Sequence, residues 1–148
     1  MKYIHTNIVS NDWKKLAKFY ETVFKCERVL PERNLKGKWI DEGTGISGVH
    51  IEGVHLRLPG YGENGPTLEI FQYNKTFKPL NKQINRQGLG HIAFRVNDVE
   101  EILNSVIKNG GGKLSDIIMR KKIVGLGKII VVYAKDPEGN FIELQKIE

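Results

Sequence analysis

The sequence predicts an α+β fold made of two βαβββ modules with the same internal pattern. A short β-type run that begins with histidine, followed by Asn-Asp and a helical pattern, occurs at His5 and again at His91. Each helical pattern is followed by three strand-type runs that are separated by turn residues. The length of 148 residues fits one compact domain, or two small modules that share a core.

In the first module, a strand begins at His5 and a helix follows Asp12. Asp12 is a suitable N-cap, although Lys15 occupies the position where a capping box has an acidic residue. The apolar residues of this helix recur at helical spacing: Trp13, Leu16, Phe19, Tyr20 and Val23. Strands are predicted at residues 26–30, 49–58 and 67–73. Residues 31–48 have no strong period, so we expect a loop there, of the kind that often carries specificity.

In the second module, Asp98 is the predicted N-cap and Glu101 completes a capping box. The helix has its apolar residues at Val99, Ile102, Leu103, Val106 and Ile107. Strands are predicted at residues 113–119, 128–135 and 140–147, and "DPEGN" is the hairpin turn before the last of them. The expected organisation is a first module at 1–74, a connector at 75–87 and a second module at 88–148, together forming one compact domain.

Composition excludes several classes of function. Hydrophobic residues make up 40% and charged residues 27% of the chain, and no apolar run approaches the ~20 residues that cross a bilayer. The net charge is +6, but the basic residues are scattered and no nucleic-acid-binding motif is present. Cys26 is the single cysteine, which excludes an internal disulfide and favours a buried structural thiol. We therefore expect a cytoplasmic protein with a small-molecule partner, without nucleic acid or membrane.

Two strands carry a glutamate within a β-type run, Glu69 in "PTLEIFQY" and Glu143 in "DPEGNFIELQ". Strand alternation places each glutamate, and likewise His5 and His91, on the less apolar face of its strand. We expect this mixed face to line a cavity, to which each module contributes one histidine and one glutamate. Other candidates for the same faces are Asn7, Phe71, Arg95 and Phe141.

Two imidazoles and two carboxylates suit a divalent ion such as Zn, Ni, Co, Mn or Fe(II). Two buried carboxylates are costly without a compensating charge, and a cation would supply it. Taken singly, a histidine at the start of a strand is more often structural, and a glutamate in a strand more often faces solvent. The repetition of the pattern favours the metal site. His50 and His55 have no counterpart in the second module, so we expect them on the surface or as supporting partners of a ligand.

The segments "HTNIVSND", "TLEIFQY", "GLGHIAFRVND" and "DPEGNFIELQ" resemble the vicinal oxygen chelate superfamily, and the resemblance covers nearly the whole chain. That superfamily includes glyoxalase I, methylmalonyl-CoA epimerase, extradiol dioxygenases and bleomycin or fosfomycin resistance proteins. The resemblance implies paired modules that form a curved mixed sheet around a concave metal site. It implies one divalent metal ion with four ligands: His5, Glu69, His91 and Glu143.

By similarity to glyoxalase I, the resemblance implies a lyase or isomerase that stabilises an enediolate and moves a proton on a small oxo or hemithioacetal substrate. Glu143 is the first choice for the base and Glu69 the second. Arg95, Asn7, Phe71 and Phe141 are the expected substrate-binding residues, with Arg95 facing an anionic group. Val9 and Ser10 replace the basic residue by which glyoxalase I holds glutathione, so the thiol stays open.

Alternatives remain at this level. The resemblance is also compatible with a methylmalonyl-CoA epimerase-like isomerase, or with a non-catalytic protein that binds an antibiotic or similar small molecule. The resemblance is compatible with a homodimer, and the metal site then lies either within one chain or between two chains.

Overall fold

The computed structural model describes residues 1–77 and 82–148. The chain separates into two compact units, Met1–Lys78 and Pro79–Glu148. Residues 78–81, which belong to the predicted connector, lie outside the described residues. Each unit combines helix with its own mixed sheet, so the predicted α+β class is confirmed. Within these two ranges, every helix is too short or too polar to span a bilayer.

The first unit forms a four-stranded sheet in the order β1-β4-β3-β2. Its elements are β1 His5–Val9, α1 Trp13–Phe24, β2 Glu27–Lys36, α2 Lys38–Thr44, β3 His50–Arg57 and β4 Thr67–Tyr73. The first and last strands of the unit, β1 and β4, run parallel, whereas β3 is antiparallel to both β4 and β2. This places the two ends of the unit's sequence side by side at one edge of the sheet.

Helix α1 packs on one face of this sheet, as its sequence predicts. The Asp12 carboxylate accepts the Lys15 amide at 3.0 Å and so caps the first turn. The apolar side of the helix packs against every second residue of the strands. The residues between them point to the opposite face of the sheet, where polar side chains are found. The buried sheet residues on the α1 side are Ile8, Val54, Leu56, Leu68 and Ile70.

The loop predicted at residues 31–48 is wrong. Strand β2 continues through this segment to Lys36, with a shift of register between Val29 and Arg33, and α2 follows. Pro31 lies within the shift, where the missing amide hydrogen costs no ladder bond. After α2, the Asp41 carboxylate accepts the amides of Gly48 and Val49 at 2.8 and 3.0 Å. A short helix without strong amphipathic periodicity gives too weak a sequence signal to be predicted.

This segment covers part of the sheet face opposite α1. Leu35, Ile40 and Tyr73 pack against a buried cluster of Val49, Ile51 and Phe71. The site face of β4 is therefore apolar at the Phe71 end and polar at the Glu69 end.

The second unit repeats the arrangement with a five-stranded sheet, in which β5-β9-β8-β6 form the main path and β7 also pairs with β8. Its elements are β5 Ile92–Arg95, α3 Val99–Lys108, β6 Gly112–Lys113, β7 Met119–Ile123, β8 Gly127–Lys135 and β9 Phe141–Ile147. The first and last strands, β5 and β9, again run parallel. The Asp98 carboxylate caps α3 by accepting the Glu101 amide at 2.9 Å, as predicted.

The strand predicted at residues 113–119 is wrong because the chain makes two separate pairings there. Lys113 pairs with Ala134 near the end of β8, whereas Met119 pairs with Val131 and begins a hairpin with the first half of β8. The intervening residues leave the sheet, so one long predicted strand becomes two short ones.

The "DPEGN" turn is held by Asp136, whose side chain is buried. Its Oδ1 accepts the amides of Glu138 and Asn140, both at 2.9 Å, and its Oδ2 accepts the Asn140 side-chain amide at 2.7 Å. The motif thus serves the turn, and the turn sets the register of β8 against β9.

We expect Asp136→Ala to lower the free energy of unfolding by about 1–3 kcal/mol, because three donors lose a buried acceptor. Chemical denaturation monitored by circular dichroism measures this loss. Asp116→Ala is the control, since Asp116 is exposed and its contact with Lys113 is a surface ion pair. Equal stability of the two variants would contradict this role for the turn.

Gly53 is a second position with a strict requirement. A Cβ at this residue would lie 2.1 Å from the Ile70 carbonyl oxygen and 2.6 Å from the Phe71 ring. Gly53→Ala should therefore separate β3 from β4 and destabilise the protein by about 1–3 kcal/mol. Gly43→Ala in α2, where a Cβ meets nothing within 4 Å, should leave stability unchanged or slightly raise it. The thermal midpoints of the two variants test the difference.

Candidate functional site

In the first unit, the parallel pairing of β1 with β4 sets Asn7 opposite Glu69. His5 precedes Asn7 by two residues and therefore lies on the same face of the sheet. The His5 Nε2 lies 3.2 Å from Glu69 Oε2, and the Asn7 side-chain amide donates to the same oxygen at 3.3 Å. The Glu69 side chain is 13% exposed and that of His5 is 41% exposed. The predicted ligand pair of this unit is therefore in direct contact.

In the second unit, the parallel pairing of β5 with β9 sets Ala93 opposite Glu143. The His91 Nε2 lies 3.3 Å from Glu143 Oε2, and the glutamate is again largely shielded from solvent. Tyr133 stands directly across from Glu143 on β8, and the interaction of its hydroxyl with this carboxylate is the main cause that raises the pKa of Tyr133. The second predicted pair is therefore also in contact.

His55 of β3 contacts the first of these pairs. Its Nε2 lies 3.0 Å from Glu69 Oε1, and its Nδ1 lies 3.2 Å from the Thr67 hydroxyl. Burial lowers the pKa of His55, although the neighbouring Glu69 acts in the opposite direction. His55 is thus a supporting partner of a predicted ligand, whereas His50 bonds to Asn34 away from Glu69. The antiparallel register of β3 against β4, which the sequence alone does not reveal, brings His55 to this position.

The donor atoms of each pair are of types that bind divalent ions, since imidazole nitrogen and carboxylate oxygen are common ligands of Zn, Mn and Fe. Each glutamate presents one oxygen to the histidine of its own unit. Among the residues that the structure describes, no group of three or more His, Cys, Asp or Glu side chains has the arrangement of a metal cluster. A single unit therefore offers two of the four predicted ligands.

The predicted substrate-binding residues differ in accessibility. Arg95 and Asn7 are exposed, although the Asn7 side-chain amide already donates to Glu69. Phe71 is 8% exposed, because it belongs to the apolar cluster beside α2, and its ring contacts His55 edge-on at 5.8 Å. Phe141 is 7% exposed, with the Lys135 ammonium 5.7 Å from its ring centre. Little of either phenylalanine ring is therefore exposed to a ligand.

Cys26 is not part of either pair. Burial, assisted by the charge of Glu21, raises the pKa of Cys26 to about 12. A thiol that stays protonated at neutral pH is a structural residue and a poor nucleophile.

Comparison with known proteins supports the same fold. The sequence model of the Glyoxalase/Bleomycin resistance protein/Dioxygenase superfamily matches residues 2–144. A search of curated proteins found no significant match. A glyoxalase family protein from Bacillus cereus is similar in structure, with a TM-score of 0.77 at 18% identity over 99% of this chain and 93% of that chain.

Two further solved structures are similar at lower scores. One is a glyoxylase/bleomycin resistance protein/dioxygenase domain from Frankia, with a TM-score of 0.59 at 14% identity over 100% of this chain and 91% of that chain. The other is the fosfomycin resistance protein FosX from Listeria monocytogenes, complexed with Mn(II) and sulfate, with a TM-score of 0.51 at 14% identity over 99% and 90%. Such identities establish the fold alone, whereas the sequence match extends over nearly the full length. The chain belongs to the Glyoxalase/Bleomycin resistance protein/Dioxygenase superfamily.

Proposed function

We propose that the protein is a divalent-metal-dependent lyase or isomerase of the glyoxalase I type, acting on a small oxo or hemithioacetal substrate. The observation that carries the proposal is the contact, repeated in both units, between a first-strand imidazole and a last-strand carboxylate at 3.2 and 3.3 Å. In this proposal His5, Glu69, His91 and Glu143 are the ligands. A bound divalent ion would supply Lewis acidity, which stabilises negative charge developing on adjacent substrate oxygens.

The residues of the two units suit different tasks. Glu69 is held by three described donors, from His5, Asn7 and His55, so its carboxylate has little freedom to move. Glu143 has His91 and Tyr133 as described partners, and Ala93 stands where the first unit has Asn7. We therefore assign proton transfer to Glu143, which would take a proton from one substrate carbon and return it to the neighbouring carbon.

Substrate binding would use the polar groups next to the two pairs. Arg95 is exposed and follows Ala93 by two residues on the same strand, so it shares the face of Glu143. Its guanidinium suits an anionic end of the substrate. The Asn7 amide already contacts Glu69 and is in place to donate to a substrate oxygen after small rearrangement.

The first test is metal content. Purified protein should contain about one equivalent of a divalent ion by elemental analysis. His5→Ala or Glu143→Ala should weaken metal binding more than ~100-fold, which exceeds the loss caused by removing a residue that only supports a ligand. His50→Ala is the matched control, because His50 bonds to Asn34 and does not contact either glutamate. Retention of the metal by both ligand variants would contradict the proposal.

The second test is catalysis. The metal-loaded protein should isomerise hemithioacetals formed from a 2-oxoaldehyde and one of several thiols, and Glu143→Gln should lower kcat by roughly 10²–10⁴-fold while the metal is still bound. Racemisation of a thioester substrate without hemithioacetal turnover would indicate an epimerase. Tight binding of a small aromatic or antibiotic molecule by metal-free protein, without turnover of either substrate, would indicate a binding protein.

A further inference from the structure

Each glutamate of the candidate site faces a side chain with a hydrogen-bond donor on the neighbouring antiparallel strand, at the same register position. In the first unit His55 pairs with Glu69, and in the second unit Tyr133 pairs with Glu143. The His55 Nε2 lies 3.0 Å from Glu69 Oε1, and the Tyr133 ring also contacts His91, the histidine paired with Glu143, edge-on at 5.3 Å. The two units therefore share this donor position although the residue types differ.

The protonation of His55 follows from its neighbours. An ionised carboxylate can only accept, so the Nε2 that lies 3.0 Å from Glu69 must carry a hydrogen. In a neutral ring the Nδ1 is then an acceptor, and the Thr67 hydroxyl at 3.2 Å is its donor. Thr67 thus fixes the ring orientation from the far side, and the ring directs its Nε2–H at Glu69.

The carboxylate of Glu69 is consequently divided into two ends. Oε1 faces His55, whereas Oε2 faces His5 and Asn7. The side chain of His55 is 17% exposed, and the ring contacts Phe71 edge-on. The more shielded histidine therefore holds Oε1, and Oε2 stays directed to the more exposed His5.

We infer that His55 is a positioning residue for Glu69, and that Tyr133 has the corresponding role for Glu143. His55 holds Oε1 of Glu69 by a hydrogen bond and leaves Oε2 available as a metal ligand. The inference rests on the proposed function, because it takes both glutamates as ligands. Partners of this kind commonly change metal affinity by about 10–100-fold when they are removed.

The first experiment needs no metal. Long-range ¹H–¹⁵N correlation spectra of metal-free protein should show His55 in the Nε2–H tautomer. In Thr67→Val, which removes the donor to Nδ1, the ¹⁵N shift of Nδ1 should change while the Nε2–H form persists. The Nδ1–H tautomer, or rapid averaging of both forms as in a solvated imidazole, would overturn the inference. The signals of His50 give the comparison within the same spectrum.

The second experiment measures binding of Mn(II) and of Zn(II) by calorimetry. His55→Phe and Tyr133→Phe should each weaken binding about 10–100-fold. His55→Gln should recover most of the affinity, because its amide can donate to Glu69 Oε1. His50→Phe and Tyr61→Phe are the controls, since neither residue contacts a glutamate of the site and Tyr61 is exposed.

The outcomes separate the two claims. If the unmodified protein binds neither metal, the proposed function fails, and the spectra still decide whether His55 donates to Glu69. If the metal binds and His55→Phe binds it equally well, the positioning role fails while the proposed function stands. Loss of affinity in His55→Phe without recovery in His55→Gln would point to lost packing and would also overturn the role, and thermal melts of each variant exclude unfolding as the cause.

Discussion

The parallel pairing between the first and last strands of each unit is the constraint on which the candidate site depends. Through this pairing the chain brings together residues from opposite ends of a module, and the register decides which side chains share a face. A shift of one residue would turn Glu69 or Glu143 toward the helix-covered face, where a carboxylate would have no partner. The apolar residues beneath α1 and α3, from Leu68 and Ile70 to Ile142 and Leu144, oppose such a shift, because it would expose them. Packing of the apolar face thus fixes the positions of the candidate residues on the other face.

The shielding of two carboxylates has an explanation within each unit. Glu69 and Glu143 are 13% and 16% exposed, and both accept hydrogen bonds from side chains that stand next to or across from them. Charge-assisted bonds of this kind offset much of the cost of removing a carboxylate from water. A cation is therefore not required to account for the burial. What favours a metal is instead the repeated combination of the two donor types, imidazole and carboxylate, with one carboxylate oxygen facing the imidazole in each unit.

Local signals in the sequence predicted the parts of the fold that depend on local interactions. The caps at Asp12 and Asp98 and the helical spacing of apolar residues identified α1 and α3, and alternation identified the faces of β4 and β9. The predicted loop at residues 31–48 and the predicted single strand at residues 113–119 were wrong, because the strands in these segments form by pairing with other strands. The position of His55 could not be predicted for the same reason. Nine residues separate β3 from β4, and a connection of this length does not fix which residue of β3 pairs with Glu69. The position of Tyr133 could have been predicted from the sequence, because the short "DPEGN" turn fixes which residue of β8 faces Glu143.

The two units share the contact between histidine and glutamate but differ at the positions directly across from the glutamate. Across from Glu69 stand Asn7 on one side and His55 on the other, whereas Glu143 has Ala93 and Tyr133. The apolar cluster formed with α2 restricts the face of β4 beyond Phe71, and the corresponding position of β9 is Gln145, opposite Arg95. A symmetrical pair of carboxylates would serve equally as ligand or base. Here the first unit surrounds its glutamate with three donors, whereas the second has the small Ala93 beside its glutamate and Arg95 opposite Gln145, two residues further along β9. Under the proposed function, this difference favours Glu143 over Glu69 as the residue that moves the proton.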